Sequence, residues 1–406
     1  MLANSLFDLR PCTVTALRSQ RSSSTSGADS IEWVNPIQTR GWDDIVLAHP
    51  NCAVFHSLGW ANVLCSSYGH TPFYLLNRRE GQVSTLFPIM EVRSAFSGRR
   101  GVSLPFTDFC DPLLRADSEF AEVFQMAAAF ARSRGWKYLE SRTGLESVEF
   151  AQPSLEFFSH SIDLRLPVEA LFARLSSTLR NEIRKTEREG VEVVVATDLS
   201  AINLYYGLHC LTRKKHGLPP QPFAFFRSIH DHLLSKGAGF VTLAFLPDRV
   251  EGENQMKRMA PDAEAGNPTQ LCGNSVEVAR GRSPIAAAIF LNFGKRAFYK
   301  FSASDESRNR LPAGKLAVWR AIQWYKTRGL ETLDLGRTSI DNGGLRRYKQ
   351  AWGAAERRIK NLKCDLATGK FLVQKDKVYG WYNRFFRLCP PGLSRWIGRL
   401  LYPHLD

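Results

Sequence analysis

The chain has 406 residues, 44% of them hydrophobic, and nine tryptophans, a composition that excludes a disordered protein and favours a well-packed globular one. This length exceeds the usual size of a single hydrophobic core, so we expect two domains. The formal net charge of +15 favours phosphate-bearing partners, and the sequence contains no run of 18 apolar residues that would predict a membrane-spanning helix.

The N-terminal segment and the cysteines bear on localisation. Residues 1–30 are rich in Ser and Arg and lack the apolar core of a secretory signal, so we expect a disordered leader, with an organellar transit peptide as the alternative. The eight cysteines include no C-x-x-C pair. This pattern predicts free thiols in a reducing compartment and no metal site. We therefore expect a cytoplasmic protein.

The first half of the chain, 31–166, predicts a small α/β unit. In chain order its predicted elements are a helix at 58–68, a hairpin of 72–76 and 83–92 about Glu80-Gly81, an aromatic-rich loop at 98–112, a helix at 119–132, and strands at 136–140 and 159–166. No cofactor-binding loop stands out among them.

The second half, 167–354, opens with a helix after Pro167. Its further predicted elements are a charged helix at 179–189, a strand at 191–196, helices at 198–215 and 222–234, and a strand at 240–246. Residues 247–284 then follow, polar and without periodicity. Because a structureless loop of this length is uncommon inside a compact domain, we predict a mobile insertion, with an active-site lid as the alternative.

The most informative segment is 285–354. An apolar run at 285–291 and an alternating run at 297–301 predict a hairpin about Gly294-Lys295. After a polar loop, Pro312 begins a helix, and a further strand follows at 332–335. The order strand, strand, polar loop, helix, strand is typical of an acyltransferase core.

Five motifs stand out in chain order: Arg180-Asn181-Glu182-Ile183-Arg184-Lys185, Thr212-Arg213-Lys214-Lys215-His216-Gly217, Tyr299-Lys300 with Ser302-Ala303-Ser304, Asp334-Leu335-Gly336-Arg337, and Tyr348-Lys349-Gln350-Ala351-Trp352-Gly353. In this order they resemble the motifs of the Fem family, whose members transfer aminoacyl groups from tRNA to cell-wall precursors. The resemblance covers roughly residues 50–354. It implies an α/β protein of two tandem GNAT-like (acyl-CoA N-acyltransferase-like) domains. We expect the first at 31–166, completed by the C-terminal tail 355–406, and the second at 167–354.

The same resemblance implies transfer of an activated acyl group to an amine or hydroxyl of a cell-envelope or exopolysaccharide precursor. No cofactor is expected to be tightly bound, and the donor is either aminoacyl-tRNA or acetyl-CoA. The alternative is a catalytically degenerate GNAT scaffold that binds RNA or an anionic membrane surface. Co-occurrence of Tyr299, Asp334, Gly336 and Lys349 favours the enzyme.

The loop before the helix at Pro312 bears on the donor. Acetyl-CoA enzymes of this fold usually present Arg/Gln-x-x-Gly-x-Gly/Ala here, so that backbone N–H groups surround the pyrophosphate. From Arg308 to Lys315 this chain departs from that pattern, because Pro312 removes one N–H and the spacing from Arg310 to Gly314 is one residue too long. We expect Arg308, Arg310 and Lys315 to hold a donor phosphate.

Three residues are the expected catalytic set. In the Fem pattern the lysine equivalent to Lys349 lies at the transfer centre, where a cation stabilises the oxyanion. Asp334 would orient the attacking amine, and Tyr299 would lie on the adjacent strand. We expect Lys349 and Asp334 to face one cavity, and replacement of Lys349 by Ala to lower turnover with little change in stability.

Further residues are candidates for substrate binding. Lys300 and Arg337 flank the catalytic positions, and Arg180 and Arg184 lie four apart on one predicted helix face, suited to phosphate contacts. His216 is a possible base, although a cation is favoured at that helix C-terminus in any case. Asp108 is expected to contact the acceptor in the cleft between the domains, and Asp111 is a second candidate there.

The C-terminal tail carries much of the positive charge. From 337 to 406 there are fifteen Lys and Arg against five Asp and Glu, and residues 378–405 interleave aromatic residues with arginines. This pattern is compatible with an interfacial helix pair on a membrane surface. The alternative is a pair of helices packed on the core, with arginines in solvent. Peripheral contact with the inner face of the membrane is therefore one expectation.

Overall fold

The structure is a computed structural model that describes residues 30–79, 82–145, 150–247, 282–308, 311–376 and 380–405. Several predictions lie outside the described residues: the leader apart from Ser30, the turn at Glu80-Gly81, most of the insertion, and the candidate residue Arg310.

The described residues form a mixed α/β fold. The strands are β1 Ser30–Val34, β2 Thr71–Pro72, β3 Tyr74–Arg79, β4 Gln82–Phe87, β5 Met90–Ser94, β6 Gly98–Val102, β7 Tyr138–Thr143, β8 Leu155–Asp163, β9 Glu192–Ala196, β10 Gly239–Phe245, β11 Ala286–Phe293, β12 Arg296–Ser304, β13 Thr332–Ser339 and β14 Ala355–Asp365. The α-helices are α1 Trp42–Leu47, α2 Leu58–Tyr68, α3 Phe120–Ser133, α4 Val168–Arg174, α5 Ser177–Arg188, α6 Leu199–His216, α7 Phe223–His232, α8 Ala313–Thr327, α9 Gly343–Gln350, α10 Trp381–Leu388 and α11 Pro391–Leu401.

The two halves repeat one arrangement of strands and helix. In the first half, β5 and β6 form an antiparallel hairpin, α3 follows, and β7 then pairs parallel to β6. In the second half, β11 and β12 form the hairpin, α8 follows, and β13 pairs parallel to β12. The helix supplies the crossover that a parallel pair requires. This repeat is the arrangement expected of the two tandem domains that the sequence predicts.

The last strand of each half pairs with the other half. β8 follows β7 in the chain but pairs with β13, and β14 follows β13 but inserts between β7 and β8. The exchange joins both halves in one sheet of eleven strands, in the order β2-β5-β6-β7-β14-β8-β13-β12-β11-β10-β9. A separate three-stranded sheet, β1-β3-β4, lies in the first half. The domain limits at 166 and 354 stay predictions.

The hydrophobic core follows from the sequence pattern. β10 is buried at every position, and β11 at all but one, as expected of strands covered on both faces. In α8, the residues Leu316, Trp319 and Ile322 recur at helical spacing and are buried. Across the halves, the rings of Phe55 and Phe298 lie 4.9 Å apart. The halves therefore share a core as well as a sheet.

Most elements of the second half match their predictions closely. The hairpins β10–β11 and β11–β12, the helix α8 and the strand β13 are all present. β14 was not predicted as a strand, because six of its eleven residues, Ala355–Asp365, are charged and it lacks a strong apolar run. It becomes a central strand only through its pairing with β7 and β8.

The C-terminal tail packs on both halves and not on the first alone. Asn383 in α10 donates from its Nδ2 atom to the carbonyl oxygens of His216 and Gly217, at 3.0 and 3.1 Å. At the end of the tail, Arg100 in β6 donates to the carbonyl oxygen of His404 at 2.8 Å. The tail therefore crosses from the end of α6 to the first-half hairpin.

Candidate functional site

The strands β12 and β13 separate in the middle of the sheet. Their parallel register pairs Arg296 with Thr332, Ala297 with Leu333 and Phe298 with Asp334, and these strands are not paired beyond that point. The V-shaped gap between residues 299–304 and 335–339 leaves backbone groups without a strand partner on its inner edges, so a ligand can pair with them.

A β-bulge lies on each arm of this gap. In β12 the register against β11 shifts so that Lys300 is an extra residue between Tyr299 and Phe301. In β13 the register against β8 shifts between Asp334 and Arg337. A bulge bends its strand and redirects side chains. The two bulges therefore open the gap and set the directions of the side chains around it.

One cavity, of about 440 Å³, lies beside the gap, and Tyr299 lines it. Its other lining residues include Pro312, Gly314 and Lys315 at the start of α8, and Tyr348 in α9. The N-terminus of a helix favours negative charge because its first N–H groups have no partners within the helix. The cavity thus combines an apolar wall with an anion-compatible end.

The opposite face of β12 meets the first half. Lys300 forms an ion pair with Asp108 across the two halves, with 3.0 Å between Nζ and Oδ2, and only 5% of the Lys300 side chain is exposed. Its ammonium also lies over the rings of Phe55 and Phe301. Tyr299 and Lys300 therefore both point into the protein, on opposite faces of β12.

The loop that presents Asp108 is strained. Leu104 and Phe106 both have positive φ, at 55° and 61°, a region that costs a residue with a Cβ atom roughly 1–2 kcal/mol. Packing of Phe106 against Tyr68, 4.7 Å between ring centroids, offsets this cost. Such strain is retained where the surrounding structure over-determines the loop. Here it holds Asp108 against β12 and β13.

Lys349 lies in α9, beneath the bulge of β13. Its Nζ atom donates to the carbonyl oxygens of Gly336 and Arg337, at 2.7 and 2.9 Å, and the residue is 4% exposed. This burial argues against the expectation that Lys349→Ala changes stability little. Its removal would leave two buried acceptors without a donor, which typically costs about 1–3 kcal/mol for each.

Asp334 stabilises the same bulge from within the sheet. One carboxylate oxygen accepts from the Gly336 N–H at 2.7 Å, and the other accepts from the Ser159 hydroxyl at 3.0 Å. Gly336 has φ 75°, and a Cβ there would lie 3.3 Å from Oδ2 of Asp108. Glycine is therefore required both by the backbone conformation and by the close approach of Asp108.

We call Asp108, Lys300, Asp334, Arg337 and Lys349 the junction cluster, since it joins the two halves. Burial lowers the pKa of Lys349 to about 8, although Asp108 and Asp334 act against this shift. Burial also raises the pKa of Asp334. Burial alone would raise the pKa of Asp108 as well, but Lys300 and Arg337 outweigh it, and the net shift is downward. Asp108 is thus the ionised carboxylate of the cluster.

The predicted catalytic residues do not all face one cavity. Asp334 lines a larger cavity, of about 840 Å³, on the far side of the junction, together with Asp111 and Arg357. Tyr299 lines the 440 Å³ cavity, and Lys349 lines neither of these two. Neither of these two cavities is lined by both Lys349 and Asp334, and the expectation that the two residues face a common cavity stays a prediction. What they share is the bulge of β13, which each of them contacts.

The predicted binding residues are dispersed. Arg337 lies over the ring of Phe157 at 4.6 Å and belongs to the junction cluster; it does not line the cavity at α8. Arg308 is exposed in the loop before α8. Arg180 donates to the carbonyl oxygens of Ala173 and Leu175, at 2.6 and 2.8 Å, so it caps α4.

Arg184 is exposed on α5 and lies over the ring of Phe172 at 5.1 Å. The predicted phosphate-contacting face of this helix is thus partly engaged within the protein. Lys315, at the start of α8, forms an ion pair with Glu182 of α5. His216 lines the 440 Å³ cavity, and burial lowers its pKa.

The sequence did not predict a series of hydrogen-bonded polar side chains that connects α9, the helix of Lys349, with the sheet. The buried His160 in β8 bonds through Nε2 to Glu356 at 2.9 Å, and Glu356 accepts two bonds from Arg346 in α9, at 2.8 and 2.6 Å. These residues lie on three separate elements, so no sequence spacing links them. Their hydrogen bonds link α9 to β8 and β14 and thereby fix the position of Lys349 in α9.

The fold and the family of the second half can now be compared with known proteins. Residues 258–350 match the family model of the acetyltransferase (GNAT) domain, and this match includes Tyr299, Asp334 and Lys349. The crystal structure of FemX superposes with a TM-score of 0.59 at 12% sequence identity, over 81% of this chain and 96% of the FemX chain. The chain has a Fem-like tandem GNAT fold.

Two further solved structures resemble the Fem-like fold of this chain less strongly. The tandem GNAT protein from the clavulanic acid biosynthesis pathway gives a TM-score of 0.48 at 12% identity, over 84% of this chain and 99% of its own. The C-terminal domain of a putative lysylphosphatidylglycerol synthetase from Agrobacterium fabrum gives 0.48 at 14% identity, over 79% and 89%. At these scores they add nothing to the FemX match. The curated proteins include no match to this chain.

Two properties of the described residues complete the description. In these ranges no helix has both the length and the apolar character needed to cross a membrane. Nor does this part of the chain bring together three or more His, Cys, Asp or Glu side chains in a way that could hold a metal ion.

Proposed function

We propose that this protein is an acyltransferase that moves an activated acyl group onto an amine of a cell-envelope or polysaccharide precursor. The observation that carries the proposal is the gap between β12 and β13, which is bordered by two bulges and opens beside the 440 Å³ cavity at the start of α8. An activated donor can pair with the free strand edges, while its phosphate end lies at the helix N-terminus.

The reaction needs few protein groups, because the donor is already activated. The acceptor nitrogen attacks the carbonyl carbon of the donor, a C–N bond forms, and the bond from that carbon to the leaving sulphur or oxygen breaks. Holding both reactants together supplies about 7–11 kcal/mol in favourable cases. The amine gives up one proton, and the leaving group takes up one.

Tyr299 is suited to protonate the leaving group. It lines the cavity, and burial raises its pKa, so its hydroxyl keeps its proton at neutral pH. In our proposal the ammonium of Lys349 stabilises the negative charge that develops on the attacked carbonyl. Asp108, ionised and facing β12, orients the acceptor amine from the side of the first half. Asp334 is a positioning residue, because both of its oxygens are engaged by the bulge and by Ser159.

The donor is either an acyl-CoA or an aminoacyl-tRNA. Pro312 offers no N–H at the start of α8, so fewer backbone donors face a pyrophosphate than in an ordinary acetyl-CoA site. Lys215 and Lys315 line the cavity and supply cations for either donor.

The test compares both donors with the purified chain. Acetyl-CoA and a charged tRNA mixture are each incubated with amino-sugar and peptide-amine acceptors, and acylated products are detected by mass spectrometry. We expect transfer from one donor class, and Tyr299→Phe to lower turnover by about a hundredfold, a typical loss for one proton-transfer group.

The matched control is Tyr325→Phe. Tyr325 is fully buried, and its hydroxyl has no hydrogen-bond partner in the structure, so its loss should leave turnover unchanged. Equal effects of the two variants would remove the assigned role of Tyr299. Binding of tRNA or CoA without any transfer would instead support the alternative, a degenerate GNAT scaffold that only binds.

A further inference from the structure

The C-terminal helix α11 exposes its large apolar side chains. Leu393, Trp396 and Leu400 are 45%, 60% and 51% exposed, and their spacing of three and four residues places them on one helix face. The positions turned toward the protein are the small residues Ser394 and Gly398, with Ile397 and Leu401 half-buried beside them. The helix therefore has apolar residues on both faces, whereas an ordinary surface helix keeps its large apolar residues inward.

Close packing prevents the helix from rotating to bury this face. A Cβ at Gly398 would lie 2.2 Å from the carbonyl oxygen of Pro220, so the helix contacts the protein backbone directly. Tyr402, just beyond α11, donates to the carbonyl oxygen of Pro219 at 3.1 Å and accepts from Arg213 at 2.9 Å. The outward direction of Trp396 is therefore set by the contacts on the other side of the helix.

The neighbouring helix extends the same surface. Phe385 and Leu388 in α10 are 48% and 78% exposed. We call Phe385, Leu388, Leu393, Trp396 and Leu400 the tail face. Single exposed apolar residues are ordinary on protein surfaces, but five such residues on two consecutive helices indicate a contact surface.

The charges around the tail face are of one sign. Residues 380–405 contain Arg384, Arg387, Arg395 and Arg399 and no acidic residue, and all four arginines are exposed. Aromatic and leucine side chains bordered by arginines are typical of helices that lie in the interface of an anionic bilayer.

We infer that the tail face docks on the surface of an anionic lipid bilayer. Its apolar side chains enter the boundary between headgroups and acyl chains, and the four arginines contact lipid phosphates. A second copy of the chain is a poorer occupant, because its own arginines would approach these four across the interface. This inference does not rest on the proposed acyl transfer.

Vesicle flotation of the full-length chain tests it. The vesicles are phosphatidylcholine alone, or phosphatidylcholine with about 30 mol% phosphatidylglycerol. We expect the anionic vesicles to bind at least about tenfold more tightly, and added salt to weaken that binding. The variant Trp396→Ser/Leu400→Ser should bind at least about tenfold more weakly. Arg395→Gln/Arg399→Gln should lower binding to anionic vesicles by a similar factor or more.

The control is Ile340→Ser, which removes an apolar side chain of 40% exposure beyond the end of β13 and should not change binding. Melting curves check that each variant is folded. The inference is overturned if the wild-type chain does not bind anionic vesicles, or if the tail-face variants bind these vesicles as well as the control does. A lipid-free dimer that Trp396→Ser/Leu400→Ser dissociates would also overturn it and would identify a second copy as the occupant.

Discussion

Lys349 is the residue whose environment departs most from its predicted setting. Its neighbours in sequence suggested an accessible cation, yet the ammonium is buried and holds two carbonyl oxygens of the β13 bulge. Those bonds orient the charge, and burial brings its pKa down to about 8. A preorganised cation of this kind costs no reorganisation when negative charge develops on a substrate.

This pKa leads to a prediction for the pH dependence of acyl transfer. If the protonated form of Lys349 is required, half of the protein is active near pH 8, and turnover falls about tenfold for each further unit of pH. The measurement is kcat/KM from about pH 6.5 to about pH 9.5. Lys349→Arg keeps the charge, since arginine stays protonated throughout this range, and should remove the alkaline decline even if its rate is lower.

Lys295→Ala serves as the control for that profile, because Lys295 is an exposed lysine paired with Glu331. Its alkaline limb should match that of the wild-type chain. An unchanged limb in Lys349→Arg would assign the titration to another group and would remove the proposed role of Lys349.

At the scale of elements, the site depends on two bulged strands and a strained loop. β12 and β13 separate where their bulges lie, and the loop that follows β6 brings Asp108 against that point. The close approach of Asp108 to Gly336 is therefore a contact between the two halves. A pair of glycine substitutions can test whether this contact matters for the reaction.

Gly336→Ala and Gly329→Ala share the same backbone penalty, since their φ values are 75° and 71°. We expect each to lower the free energy of unfolding by about 1–2 kcal/mol. A Cβ at Gly329 meets nothing within 4 Å, whereas a Cβ at Gly336 approaches Asp108 to 3.3 Å. Gly336→Ala should therefore displace Asp108 and reduce turnover by about tenfold or more, while Gly329→Ala leaves turnover unchanged.

Denaturant unfolding measures the change in the free energy of unfolding, and steady-state kinetics measures the change in turnover. Equal turnover in the two variants would show that the position of Asp108 does not matter for the reaction. Asp108 would then serve only to neutralise Lys300.

At the scale of the whole molecule, the exchange of β8 and β14 makes one sheet from two halves. β14 pairs six of its residues with β7 and seven with β8, so the junction cluster lies against a continuous central sheet. The sequence-predicted insertion joins β10 and β11, which lie near the β9 edge of this sheet and away from the central strand β14.

Excision of 248–281 should leave the molecule folded and active. β10 and β11 are paired up to Ala244 and Ala286, and the Ile285 N–H donates to the Ala244 carbonyl at 2.8 Å, so a short Gly-Ser-Gly link can join Pro247 to Arg282. Shortening a loop changes its closure entropy by only about 1 kcal/mol, and we expect the melting temperature to stay within a few degrees. A folded but inactive product would identify the segment as a lid over the site.

The sequence by itself determined the fold class and most local elements of the second half. The hairpin of β11 and β12, helix α8 and strand β13 follow from apolar periodicity and from Pro and Gly positions. The most important residues of the junction could also be predicted from the sequence, because Asp334, Gly336 and Lys349 belong to motifs that are continuous in the chain.

Only the tertiary structure decided how these residues are used. The ion pair of Asp108 with Lys300 joins positions 192 apart, and His160 meets Glu356 through the exchanged strands β8 and β14. Strand exchange, bulges and the burial of Lys349 depend on non-local packing, for which the sequence contains no periodic pattern. The same holds for the tail face, since α11 is amphipathic in sequence, and only the backbone contact at Gly398 determines which face remains outside.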